Sequence, residues 1–225
     1  MSEGDFTSLA SEASAVSKRE LNMQRRRERI SRSAARIIVE EGLDNLTLAK
    51  VAEMADLTVP TIHNLFGKKR DIYTYIATQA VEGLMHHIEA FVSASSFEDL
   101  ETGVNNIIEE IRAKEDEFKA GFLLGERSKL LGRDGAPYKQ SLITATDKFV
   151  LFVKNGDLAG KIDPEQMAKM VADRARVERT DWMHGRISLD EFKHGTLFGF
   201  YVVLLSDATT KFRKTLHTRI ASLGK

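Results

Sequence analysis

Residues 47–66, TLAKVAEMADLTVPTIHNLF, read as two short helices joined by a tight turn. Thr47 can cap the first helix, with Leu48, Val51, Ala52 and Met54 turned inward. After the turn Ala55-Asp56-Leu57, Thr58 can cap a second helix. Pro60 then falls in its first turn, where a missing N–H costs little. Two short helices linked this way are the minimal helix-turn-helix. A second helix enters a DNA major groove only if its outer face is small or polar and its inner face apolar. Ile62, Leu65 and Phe66 can face Val51 and Ala52, leaving Val59, Pro60, Thr61, His63 and Asn64 outside. Methyl surface, a hydroxyl, an imidazole and an amide are partners for base edges and phosphates. Thr47 and Thr58, at helix N-termini, can direct hydroxyls and free N–H groups toward phosphates. Spacing alone leaves open that the pair is only a packing unit.

The flanks bear on that choice. Upstream, a helical pattern runs from about Ser17 to Glu41 and stops at Gly42, with Ile30, Ala34, Ile37 and Ile38 on one face. The run Gln24-Arg25-Arg26-Arg27-Glu28-Arg29 precedes that face, and Arg25 and Arg27 are placed to reach a DNA backbone or minor groove. Downstream, Lys68 and Lys69 open the next helix, where the dipole favours anions, so a bound phosphate would resolve the mismatch. The net charge is zero, yet residues 18–70 carry 12 Lys/Arg against 7 Asp/Glu. A basic excess confined to one short region fits a module that meets polyanions while the rest of the chain does other work.

The stretch from Ile30 to about Ile76 resembles the N-terminal domain of the TetR/AcrR family of regulators. The resemblance rests on ISRSAARIIVEEGLDNLT, AKVAEMADLT and VPTIHNLFGKKRDIY. The family's third helix usually reads small-Thr-aliphatic-Tyr, ends in Phe and is followed by Lys and an acidic residue. Here Pro60-Thr61-Ile62-His63, Phe66, Lys69 and Asp71 fill those places, with His63 for the usual Tyr and Leu65 where an aromatic is common. The resemblance implies an all-α fold: a three-helix DNA-binding domain, then a helical domain that binds an effector and dimerises. Two long helices near 164–184 and 189–206, around the run Trp182 to Ser188, would make the dimer. Two-fold symmetry then implies a palindromic operator on double-stranded DNA.

The remaining residues agree with an all-α class. Only 3 prolines and 15 glycines occur in 225 residues, and no alternating strand pattern appears. Residues 1–17 are rich in Ser, Ala and acidic groups and read as a disordered tail, 18–70 as the DNA-binding domain, and 71–225 as the ligand-binding and dimerisation domain. Helices are expected at about 69–92, from the Ser96 cap, at about 116–131 and 137–154, from the Asp163 cap, and from the Ser188 capping box. The last stretch, about 190–223, breaks near Ser206-Asp207. Without cysteine there is no disulfide and no thiolate metal site, and without an eighteen-residue apolar run no membrane span. No signal peptide is seen at the N-terminus, which places the protein in the cytoplasm.

Aromatic residues at helical spacing mark the core of the second domain, and a cavity among them would suit an apolar or aromatic small-molecule effector. His87, Phe122, Arg127, Phe152 and Trp182 are its candidate contacts. The rival class is an enzyme or metal protein on a helical bundle. Glu191-Phe192-Lys193-His194 supplies one Glu-x-x-His motif, but a di-iron site needs two, and Glu82 with His86 lacks further ligands. No Walker loop, nucleophile elbow or His-Glu-x-x-His is present. Neither catalysis nor a cofactor is therefore expected. An architectural DNA-binding protein would carry broader positive charge.

Overall fold

The computed structural model describes residues 3–223, and the side chains of 3–17 and of Ala90 fall outside that description. Among the described residues all regular structure is helical, apart from one isolated antiparallel bridge between Leu158 and Ala208. The chain divides into two compact units, 1–76 and 77–225.

The first unit opens with α1, Glu3–Glu41. The expected tail at 1–17 is thus helical in backbone from Glu3, while Met1 and Ser2 lie outside the described residues. Nothing in residues 5–17 stops a helix, since glycine and proline are absent there. Ile30, Ala34, Ala35, Ile37 and Ile38 form its buried stripe. The helix ends where Gly42 takes φ 91°, and a short 3-10 turn follows at Leu43–Asn45. Then come α2, Leu48–Met54, and α3, Val59–Phe66. Thr47 accepts from the Lys50 N–H (3.2 Å) and Thr58 from the Thr61 N–H (3.3 Å), so both expected caps form. Leu46, Val51, Ala52, Ala55 and Ile62 close the core over α1, whereas Met54 is exposed. The seven residues of α2 make barely two turns, and Met54 falls on the outward side of the second.

Helix α4, Lys69–Val92, begins in the first unit, where Ile72 and Ile76 are buried, and continues into the second. The sequence boundary at 70/71 falls within its first turn. Six more helices follow: α5 Phe97–Ala113, α6 Glu115–Arg127, α7 Ala136–Lys154, α8 Pro164–Met183, α9 Leu189–Asp207 and α10 Thr210–Leu223. Capping boxes at Ser96/Asp99 and Ser188/Glu191 start α5 and α9, as read from sequence. Helix α6 ends at Arg127, short of the expected Leu131. Lys129 turns to φ 62°, and Leu131 folds back so that its N–H reaches the Gly125 carbonyl (3.3 Å).

The break between α9 and α10 has a buried cause. The Asp207 carboxylate accepts the N–H groups of Gly160 (2.8 Å) and Lys161 (3.1 Å), and its carbonyl accepts that of Ala159 (2.8 Å). The α7–α8 link is thereby tied to the end of α9, and the isolated bridge lies beside it. Two apolar clusters fill the second unit. One gathers Phe97, Phe149, Phe152, Leu197, Tyr201 and Phe212. The other gathers Ile108, Ile111, Phe118, Phe122, Trp182 and Phe192. Where their members face one another a cavity is left.

Candidate nucleic-acid interface and cavity

Helix α3 separates its faces sharply. Ile62 is fully buried, while Pro60, His63 and Asn64 are exposed. Val59 and Thr61 are half-buried, and the Thr61 hydroxyl lies 2.9 Å from that of Thr58. The outer face is therefore narrower than the sequence implied, with Pro60, His63 and Asn64 at its centre. The Thr47 and Thr58 hydroxyl oxygens serve as caps but stay at the exposed helix starts, where unpaired N–H groups can still meet an anion.

The basic flanks divide into exposed and internally engaged groups. Arg25 and Lys68 are exposed. Arg27 donates to the Leu65 carbonyl (3.1 Å) and lies 5.7 Å from the Phe66 ring centroid, so it ties α1 to the end of α3. Its neighbour Arg29, not singled out from sequence, donates to the Asp56 carbonyl (3.2 Å) in the turn between α2 and α3. Two arginines two residues apart thus tie α1 to the end of α3 and to the turn before it. Lys69 is half-buried over the Tyr73 ring, 5.4 Å from its centroid. The dipole mismatch expected at the start of α4 is already answered within the chain. The Asp71 carboxylate accepts the Lys68 N–H (2.7 Å) in the first turn, so no phosphate is needed there to balance the lysines. The rest of the unit braces α3: Tyr73 donates to the Leu43 carbonyl (2.6 Å), and Tyr75 meets Phe66 edge to face at 5.1 Å.

In the second unit the cavity measures about 260 Å³ and is walled by α4 to α9. Of the five expected contacts, His87, Phe122 and Phe152 line it. Trp182 and Arg127 do not. Trp182 is fully buried one layer behind, stacked on Phe192 at 5.6 Å, with its indole N–H given to Glu115 (3.2 Å). Arg127 is the exposed last residue of α6. Burial pushes the His87 imidazole below its ordinary value, against a smaller opposing pull from Glu110. Sequence reading missed Arg176 and Arg179, which also line the cavity. Their signal was present: they continue the α8 face of Ala172 and Ala175 at three- and four-residue spacing, where small side chains leave room for guanidinium groups.

The motifs of the rival class are occupied otherwise. Glu191 accepts the Ser188 N–H (2.7 Å) in a capping box, and His194 stacks on Phe198. Among the described residues no group of three or more His, Asp or Glu is arranged to hold a metal ion. Among them, too, no helix is long and apolar enough to cross a membrane.

Residues 30–76 match the family model for bacterial regulatory proteins, tetR family. No curated protein matches the chain significantly. Solved structures are similar over nearly the whole length. CprB from Streptomyces coelicolor, solved in complex with its biological operator sequence, is 18% identical, with a TM-score of 0.66 over 89% of this chain and 97% of that one. A TetR-family transcriptional regulator from Marinobacter aquaeolei VT8 is 15% identical, with a TM-score of 0.68 over 88% and 98%. SmeT, repressor of the Stenotrophomonas maltophilia multidrug efflux pump SmeDEF, is 17% identical, with a TM-score of 0.63 over 82% and 91%. Residues 30–76 thus match the DNA-binding domain of the tetR family of bacterial regulatory proteins, and the fold of the chain is the one these solved regulators share.

Proposed function

We propose that this chain is a transcriptional regulator of the TetR family, a dimeric repressor that binds a palindromic operator and lets go when a small, largely apolar molecule fills the cavity. The observation that carries the DNA-reading part is α3: a capped helix with one face locked into the core through Ile62 and the other offering Pro60, His63 and Asn64. Residues 18–70 read DNA, 71–225 bind the effector and dimerise, and the protein works in the cytoplasm. The operator complex of CprB supports the first role, and a SmeT–triclosan complex supports the second.

The dimer reading rests on α8 and α9. Met170 and Val177, a heptad apart on α8, are exposed, as are Phe198 and Val202, one turn apart on α9. Exposed apolar groups at such spacing suit a two-fold helical interface. Release would act through α4, which runs from Lys69 to Val92 and contributes Leu84, His87 and Ile88 to the cavity wall. A ligand that favours one α4 position would change the spacing of the two reading helices. Near-complete release requires roughly 5 kcal/mol of preference for the DNA-incompetent state.

Selection from random duplex DNA with the full chain tests the reading. A palindromic consensus recovered as a protein dimer is the expected result. Enrichment of no sequence, or of a single asymmetric half-site bound by monomer, would contradict it.

A further inference from the structure

Among the described residues, five buried side-chain atoms have no hydrogen-bond partner: His87 Nε2, Thr144 Oγ1, Arg176 Nε, Arg179 Nε and Thr196 Oγ1. All five residues line the cavity. Unpaired buried polar groups are few in folded proteins, and their gathering around one space means that their partner belongs in that space. We propose that the effector is an amphipathic carboxylate, its charged end held by Arg179 and Arg176 and its apolar body lying among Ile108, Phe149 and Phe152. This rests on reading the cavity as the effector site and adds the ligand's chemical class.

The charges decide the class. No Asp or Glu is among the lining residues, whereas Arg176, Arg179 and Lys148 are. Lys148 is already bonded to the Val92 (2.6 Å) and Ala94 (2.5 Å) carbonyls. Arg176 has only a long contact to Asp173 (3.8 Å), and that carboxylate is shared with Arg133 (2.7 Å) and the Tyr138 hydroxyl (3.0 Å). Arg179 makes no ion pair among the described residues. It lies over the Phe122 ring, 5.4 Å from the centroid. Burial, with Arg176 beside it and a smaller opposing pull from Glu126, holds its guanidinium down to about 10, so it remains a cation at neutral pH and a bonded partner for it is an anion. His87 Nε2 lies 3.1 Å from Glu110 without hydrogen-bond geometry, beside the same cavity.

Position points to the same class. Arg176 and Arg179 also border a second cavity of about 320 Å³, whose wall includes Glu126, Lys129 and Asp134. The two guanidinium groups therefore stand between an apolar chamber and a polar one, as a headgroup site requires. A planar carboxylate matches the guanidinium fork. An apolar cavity of ~150 Å³ takes benzene, so this chamber admits about ten non-hydrogen atoms.

Calorimetric titration of the full chain with octanoate, octan-1-ol and octylamine tests the inference. Octanoate is expected to bind at least about 10-fold tighter than the alcohol, in line with a charge-assisted hydrogen bond, and the amine not at all. In Arg179→Met, octanoate should fall to the alcohol's affinity while the alcohol is unchanged. The variant's unfolding temperature should rise, because an unpaired buried charge is gone, which separates lost recognition from lost folding. Arg179→Lys should keep part of the carboxylate preference. Equal binding of octanoate and octan-1-ol, absence of octanoate binding, or a preference that survives Arg179→Met would each overturn the inference. Operator affinity is measured separately. Release by octanol as well as by octanoate would leave the effector reading standing without the carboxylate. Arg179-dependent octanoate binding with unchanged operator affinity would keep the carboxylate and remove the effector reading.

Discussion

His63 and Asn64 stand exposed beside a fully buried Ile62, and that contrast within three residues was readable from sequence because helical periodicity alone assigns faces. The caps at Thr47 and Thr58 were readable for the same reason: their partners lie three residues away. Arg27 and Lys69 were not, since the Leu65 carbonyl and the Tyr73 ring that engage them are placed by tertiary packing. Arg179 was missed because a charged residue on a helix is ordinarily solvated, and only the fold shows it without an ion-pair partner beside an apolar cavity. Two substitutions separate the roles of the reading surface. Asn64→Ala should relax base preference at particular operator positions, by about 1–3 kcal/mol, in titrations against single-base operator variants. Lys68→Ala should weaken binding to all duplexes alike and reduce the salt slope by about 1, read from affinities at several ionic strengths.

Helix boundaries followed the local signals where those existed. Ser96, Asp163 and Ser188 start α5, α8 and α9 as their side chains dictate, and Lys69–Val92 matches the expected span of α4. The failures mark missing local signals. Nothing in the sequence fixes the start of α1, and α6 stops early through a left-handed Lys129, a residue with no special tolerance for that conformation. The α3–α4 junction makes a sharper test of an element. Gly67 takes φ 90°, and a Cβ there would sit 2.8 Å from an Asp71 carboxylate oxygen, the group that caps α4. Gly67→Ala should therefore destabilise the first unit by about 1–3 kcal/mol, measured by urea unfolding, and weaken operator binding through misplacement of Lys68.

For the molecule as a whole, the all-helical class was legible, because composition and periodicity act along the entire chain. The cavity was only half legible: aromatic residues at helical spacing announced a core, but which of them face a space depends on how six helices pack. Hence Phe122 and Phe152 line it while Trp182 does not. Assembly is tested on α8, where Val177 is exposed in the single chain. Val177→Glu should leave the fold intact yet weaken dimerisation by about 3 kcal/mol, roughly 100-fold, in sedimentation equilibrium. An unchanged dimer would place the interface elsewhere.

Whether paired α3 helices read sequence decides the function proposed for this chain. The direct measurement is a titration of the dimer against the selected palindrome and a scrambled duplex of equal length, both at physiological salt. A sequence-reading dimer should prefer the palindrome by about 10³-fold or more. Equal affinity for the two duplexes would mean that α3 does not read base sequence.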